Sequence, residues 1–137
     1  MTKTASALKA SLVILSIGTA GMMTAPATAG GSVSISVAPT NARQEQAMRA
    51  GLGIYALYNG IKNGGIRQKG FNNSAGLLQN GSGNLGVVHQ RGNGHNGTLQ
   101  QNGNGNSHGL FQFGSNTNGH IAQTGNGGTG ATFQFGW

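Results

Sequence analysis

A chain of 137 residues with 27 Gly, 36% apolar and only 7% charged residues has room for one small domain, and it lacks the makings of an ordinary core inside a charged shell. Its formal charge is +7, from eight Lys and Arg against a single acid, Glu45, and it contains neither Asp nor Cys. Paired-carboxylate acid–base chemistry, Ser-His-Asp triads, Asp-ligated Ca²⁺ or Mg²⁺ and every thiol site lack their parts, so the chain reads as a non-enzyme without a cofactor.

Residues 1–29 carry the three parts of a secretory signal peptide in order. Lys3 and Lys9 form a basic start, Ala10 to Met23 an apolar run, and Ala27-Thr28-Ala29 a small-x-small cleavage site. The run is interrupted by Ser16, Gly18, Thr19 and Gly21 and is shorter than a membrane span needs, so no permanent membrane anchor is expected. Cleavage after Ala29 removes Lys3 and Lys9 and leaves six basic residues against Glu45, a charge of +5. With no Cys, nothing in an oxidising compartment is cross-linked.

Residues 30–65 form an N-terminal arm and a helix. Gly30 to Pro39 alternates Ser with Val or Ile, a short extended segment ended by Pro. From Asn41, a candidate N-cap with Glu45 in the first turn, Ala47, Ala50, Ile54, Leu57 and Ile61 recur at spacings of three and four. This predicts an amphipathic helix over about 41–62, weakened by Gly51 and Gly53, that either covers an exposed end of the following structure or serves as a recognition element.

Residues 66–137 repeat strictly every eleven positions. Gln68, Gln79, Gln90, Gln101, Gln112, Gln123 and Gln134 mark the period, and Gly70, Gly81, Gly92, Gly103, Gly114, Gly125 and Gly136 follow each by two. Two positions before each Gln stand Ile66, Leu77, Val88, Leu99, Leu110, Ile121 and Thr132. Five after it stand Asn73, Asn84, His95, Asn106, Thr117 and Gly128; seven after it, the mostly small Ala75, Gly86, Gly97, His108, Gly119 and Gly130.

In the unit small-x-aliphatic-x-Gln-x-Gly-x-x-Asn, the first half has the period of two that puts small, aliphatic and Gln side chains on one strand face. The Gly-x-x-Asn half supplies residues tolerant of positive φ, as a tight turn requires: Gly70, Gly81, Gly92, Gly103, Gly114 and Gly125 with Asn73, Asn84 and Asn106. Two units make a 22-residue strand-turn-strand rung, and equivalent residues of successive rungs stack about 4.8 Å apart. The fold class is all-β: a short β-solenoid, or cross-β stack, of such rungs. Buried Gln is costly unless its amide is bonded, and amides stacked at the rung spacing satisfy one another only while the column continues. Each end of the stack is therefore a template for another copy.

On one sheet the outward positions beside Gln run from Arg67 and Lys69 through His89 and Arg91 to Phe111, Phe113, Phe133 and Phe135. With Trp137, the four Phe are expected to form an exposed apolar docking face at the C-terminal rungs, the alternative being that they cover the sheet locally or contact the helix near Tyr55, while the cations discourage growth at the other end.

The repeat resembles that of curlin, the subunit of bacterial curli fibres. Gln-x-Gly-x-x-Asn-x-Ala-x-aliphatic-x-Gln is met in full by Gln68, Gly70, Asn73, Ala75, Leu77 and Gln79, and with Gly for Ala by Gln79, Gly81, Asn84, Gly86, Val88 and Gln90. The resemblance covers Ile66 to Trp137 and implies a secreted subunit that self-assembles into extracellular, cell-surface amyloid fibres for adhesion and biofilm matrix. It further implies partners in other copies of the chain, a related curlin subunit and an outer-membrane secretion apparatus. A minor, nucleating or accessory repeat protein is the alternative within the family, since His95, Thr117 and Gly128 replace the motif Asn.

Readings of other classes fit less well. Nucleic-acid binding would use the basic balance, yet only Arg67, Lys69 and Arg91 are basic within the repeat. An ice-binding solenoid should show Thr ladders, but Thr98, Thr117, Thr124, Thr129 and Thr132 do not share one column, and a disordered tract has no reason to hold register. His89, His95, His108 and His120 occupy four different columns, which predicts no metal site.

Overall fold

The computed structural model describes residues 14–16 and 31–137. The expected signal segment lies outside the described residues, apart from the backbone of a three-residue strand, β1 (Ile14–Ser16). There follow β2 (Ser32–Val37), α1 (Ala42–Tyr58), β3 (Gly64–Lys69), β4 (Ser74–Asn80), β5 (Leu85–Asn93), β6 (Asn96–Asn102), β7 (Ser107–Ser115), β8 (Asn118–Thr124) and β9 (Thr129–Gly136).

Alternate repeat strands go to opposite sheets, as a strand-turn-strand rung requires. One sheet has the order β1-β2-β9-β7-β5-β3 and the other β4-β6-β8. Every pairing within the repeat is parallel and displaced by 22 residues, so Gln68 lies beside Gln90, Gln90 beside Gln112 and Gln112 beside Gln134, with Gln79, Gln101 and Gln123 aligned on the second sheet. The result is a β-solenoid of about three turns. Val88, Leu99 and Leu110 from the two sheets interleave as its buried interior, flanked by Ala75, Leu77 and Ile121.

The arm and the helix both fold onto the first sheet. β2 pairs antiparallel with β9, placing Val33 beside Phe135 and Ile35 beside Phe133. Asn41 caps α1 by accepting from Gln44 N–H. The helix ends at Tyr58, short of the expected Lys62, because Gly60 turns left-handed at φ 71° and Gly60 N–H and Ile61 N–H close onto the carbonyls of Leu57 and Ala56.

The buried face of α1 differs from the expected stripe. Ala47, Ala50, Ile54 and Leu57 face solvent, Ile54 at 69% and Leu57 at 80% exposure, whereas Leu52 and Ala56, with Met48 and Tyr55 beside them, pack on Val87, Phe111 and Ala131. Spacings of three and four fit both faces, and the sheet's aromatic column selects the one carrying Tyr55 and Leu52. Arg49 fixes the choice: its guanidinium donates to the carbonyls of Gly105 (2.7 Å) and Gly127 (2.6 Å), on successive turns, and to Glu45 (3.1 Å). Arg49→Ala should speed hydrogen exchange of the α1 amides about tenfold, and Arg49→Lys should recover only part of this because an ammonium lacks the planar fork. Unchanged exchange in both variants would show that apolar packing alone holds the helix.

Candidate functional site: two glutamine ladders and their ends

The ladders are built from side chains at the Gln positions. On the first sheet Gln68, Gln90 and Gln112 each donate from Nε2 to Oε1 of the Gln one rung on, all at 2.8 Å, ending at Gln134. On the second sheet Gln79 donates to Gln101 and Gln101 to Gln123, both at 2.9 Å. Gln90, Gln101 and Gln112 are wholly buried.

A primary amide has a second N–H, and the interior provides for it. Gln79, Gln90, Gln101, Gln112 and Gln134 donate across to the carbonyls of Asn63, Ser74, Leu85, Asn96 and Asn118. This explains the column of small residues: a Cβ on Gly97 would lie 2.4 Å from Gln112 Oε1, and one on Gly119 2.6 Å from Gln134 Oε1. His108 fills the equivalent place opposite Gln123. There the cross-sheet bond is absent, and among the described residues Gln123 takes part in the ladder only as an acceptor, its Nε2 donating to none of them.

The turns carry four columns, two of them not singled out from the sequence. The Gly two after each Gln is required by close approach, since a Cβ on Gly92 would lie 1.8 Å from the carbonyl oxygen of Gly114. Those Gly, from Gly70 to Gly125, also have positive φ, between 88° and 130°, and a second positive-φ residue stands four after each Gln, where Asn72, Gly83, Gly94, Gly105, Asn116 and Gly127 have φ between 54° and 71°. Asn73, Asn84 and Asn106, five after Gln, are not left-handed and act through their amides. Their Nδ2 donates to the carbonyls of Gly92, Gly103 and Gly125 (2.8 Å each), and their Oδ1 accepts from the N–H of His95, Asn106 and Gly128. Where His95 replaces Asn, its Nδ1 meets Thr117 Oγ1 at 2.8 Å, so the substituted column remains bonded. The fourth column, three after Gln, places Asn93, Asn104 and Asn126 to accept from the N–H of Phe71, Ser82 and Asn104. Only the recurrence of Gly or Asn there could have signalled these two columns.

The ends of the stack differ. At the N-terminal end Ile66 is 43% exposed and Gln68 is exposed, and neither Gln68 Oε1 nor Gln79 Oε1 has a donor among the described residues. At the other end β8 has a bare edge, whereas β9 is covered by β2, with Gln134 Nε2 reaching Ser34 Oγ at 3.5 Å.

The expected docking face is largely covered. Phe111 is 7% exposed beneath α1, stacks on Phe133 (centroids 5.0 Å apart) and meets the Tyr55 ring edge-on; Phe113 stacks on Phe135. Only Phe135 and Trp137 remain substantially exposed, and Trp137 lies over Gly31, which exchanges two 2.9 Å backbone bonds with it. An aromatic column with an amphipathic helix in the same chain is covered by that helix first, because the intramolecular contact costs no association entropy.

His89 bonds Tyr55 Oη through Nδ1, and its pKa is lowered by burial and then by Arg67 and Arg91; burial raises that of Tyr55. His108, bonded only to Thr132 Oγ1 at 3.2 Å, is pushed down to about 4 by burial. The unfolded imidazole titrates near pH 6.5, so between pH 6.5 and 4 the unfolded chain binds the extra proton. Stability is full above pH 6.5 and falls by about 3 kcal/mol as pH drops through that window. Urea titrations at pH 7 and 4.5 should show this loss in the parent and a flatter response in His108→Ala.

Among the described residues no three His or Glu side chains converge, and no helix is long and apolar enough to cross a membrane. No family model matches the chain, and no match is found among curated proteins or solved structures.

Proposed function

We propose that the chain is a structural subunit that polymerises end to end into an extracellular, curli-like amyloid fibre serving adhesion and biofilm matrix. One observation supports this above the others: two parallel, in-register Gln ladders stop with unpaired acceptors at one end and an unpaired donor at the other. Strand edges at β3, β4 and β8 accompany them. Each copy added satisfies amides and backbone groups that a single copy leaves to water. The partner class is first of all the same chain, with a related curlin subunit and an outer-membrane export apparatus as the further partners of this reading. No nucleic acid and no catalytic step belongs to it.

Material expressed from the complete coding sequence should bind thioflavin after a lag and give fibre diffraction with a meridional spacing of about 4.8 Å. A chain that stays monomeric and soluble at high concentration would contradict the proposal.

A further inference from the structure

We propose that successive copies in the fibre are turned by half a revolution about its axis, and that β2 is a removable cap which must leave β9 before this contact closes. The inference rests on the end-to-end assembly proposed above and adds its geometry and its gate.

Each eleven-residue unit moves the chain to the opposite sheet and advances it half a rung, about 2.4 Å. Seven Gln mark seven units, so the first sheet holds four repeat strands and the second only three. A copy added without rotation would set its β3 on β9 and leave one strand position empty on the second sheet, with the backbone of β8 and of the incoming β4 facing a gap. A copy turned by half a revolution sets its β3 on β8 and its β4 on β9, and no position is skipped.

The side chains match in that arrangement. Extending the register of the existing pairs puts Ile66 beside Ile121 and Gln68 beside Gln123, so the unpaired Gln123 Nε2 meets the unpaired Gln68 Oε1. It also puts Gln79 Oε1 beside the Gln134 amide and the exposed Leu78 beside Phe133. The helix supports the same arrangement. α1 crosses the stack from the β9 end to β3, with Arg49 on the Gly127 turn and Asn59 on Arg67. Its 17 residues span about 26 Å. Unrotated copies, spaced by the four strands of the first sheet, would recur on one face every ~19 Å and their helices would overlap, whereas half-turned copies rise ~17 Å each and leave ~34 Å on each face.

β2 occupies the edge that the incoming β4 requires, through six register pairs with β9 and the paired Gly31–Trp137 backbone bonds. The edge of β8 is bare. An incoming copy therefore meets β8 first and completes the contact by displacing β2.

Because the chain lacks Cys, engineered thiols report the contact without background. Chains carrying Ala122→Cys, expressed from the complete coding sequence, are co-assembled with chains carrying Arg67→Cys or Leu78→Cys and oxidised. The half-turn contact gives disulfide dimers with Arg67→Cys and none with Leu78→Cys. Fibres that link through Leu78→Cys, or through neither pair, overturn the half-turn while leaving end-to-end assembly standing; chains that remain monomeric by light scattering overturn both. For the gate, Val33→Cys with Phe135→Cys tethers β2 to β9. Elongation should stop when this pair is oxidised and resume on reduction, and equal elongation in both states overturns the gating role.

Discussion

Gly92→Ala should abolish the cooperative fold, with a cost above about 4 kcal/mol, while Gly105→Ala should cost only about 1 kcal/mol. Both residues have positive φ, 130° at Gly92 and 67° at Gly105, so conformation alone does not separate them. Surroundings do. The added methyl at Gly92 would lie 1.8 Å from the carbonyl oxygen of Gly114, a backbone atom locked into the next rung, whereas nothing lies within 4 Å of a Cβ on Gly105. The strand–turn junction can yield only by opening the rung pair. Urea denaturation followed by circular dichroism checks this, and similar midpoints for the two variants would show that the turns separate more easily than the stacked carbonyls imply.

Gln101→Ala should destabilise the chain by about 3 kcal/mol, against less than about 0.5 kcal/mol for the neighbouring Gln100→Ala. Gln101 is wholly buried, accepts from Gln79 and donates to Gln123 and to the carbonyl of Leu85. Its truncation leaves a cavity and orphans groups on three strands. Gln100 is partly exposed on the outer face beside Thr98 and Asn102. Gln101→Glu is the sharper variant: it keeps the shape but sets a carboxylate against two acceptors, and should be worse than Ala. Fibre formation should be slowed in the same order, and equal effects at positions 100 and 101 would refute the inward ladder.

The repeat was legible in the sequence because its period is exact. Gln, aliphatic, small and Gly positions recur without insertion, and period two within the strand decides which of them turn inward. The features that escaped depend on partners outside the repeat. Ser-Val-Ile alternation marks β2 as extended but carries no information that Ile35 lies beside Phe133. The helix pattern is diluted by Gly51 and Gly53, and the aromatic column on the sheet, rather than the helix alone, selects Leu52 and Ala56 over Ile54 and Leu57 for burial. The same pairing buries Phe111 and partly buries Phe113 and Phe133; their outward positions beside Gln allowed either a free patch or contact with the helix near Tyr55, and the strand pattern alone does not choose between them. Within the turns, Asn73 and Asn84 suggested left-handed backbone, yet the amide ladder uses them while the preceding Asn72 and Gly83 take the positive φ.

Residue-resolved hydrogen exchange, compared between monomer and fibre, tests most directly whether the ends of the solenoid are its joining surfaces. If they are, β5, β6 and β7 are protected in both forms, and the largest gains on assembly fall in the edge strands β3 (Gly64–Lys69), β4 (Ser74–Asn80) and β8 (Asn118–Thr124). Protection that arises only on assembly and is uniform along residues 66–137, or fibres in which β3 and β8 exchange as fast as in the monomer, would contradict assembly by continuation of the glutamine ladders.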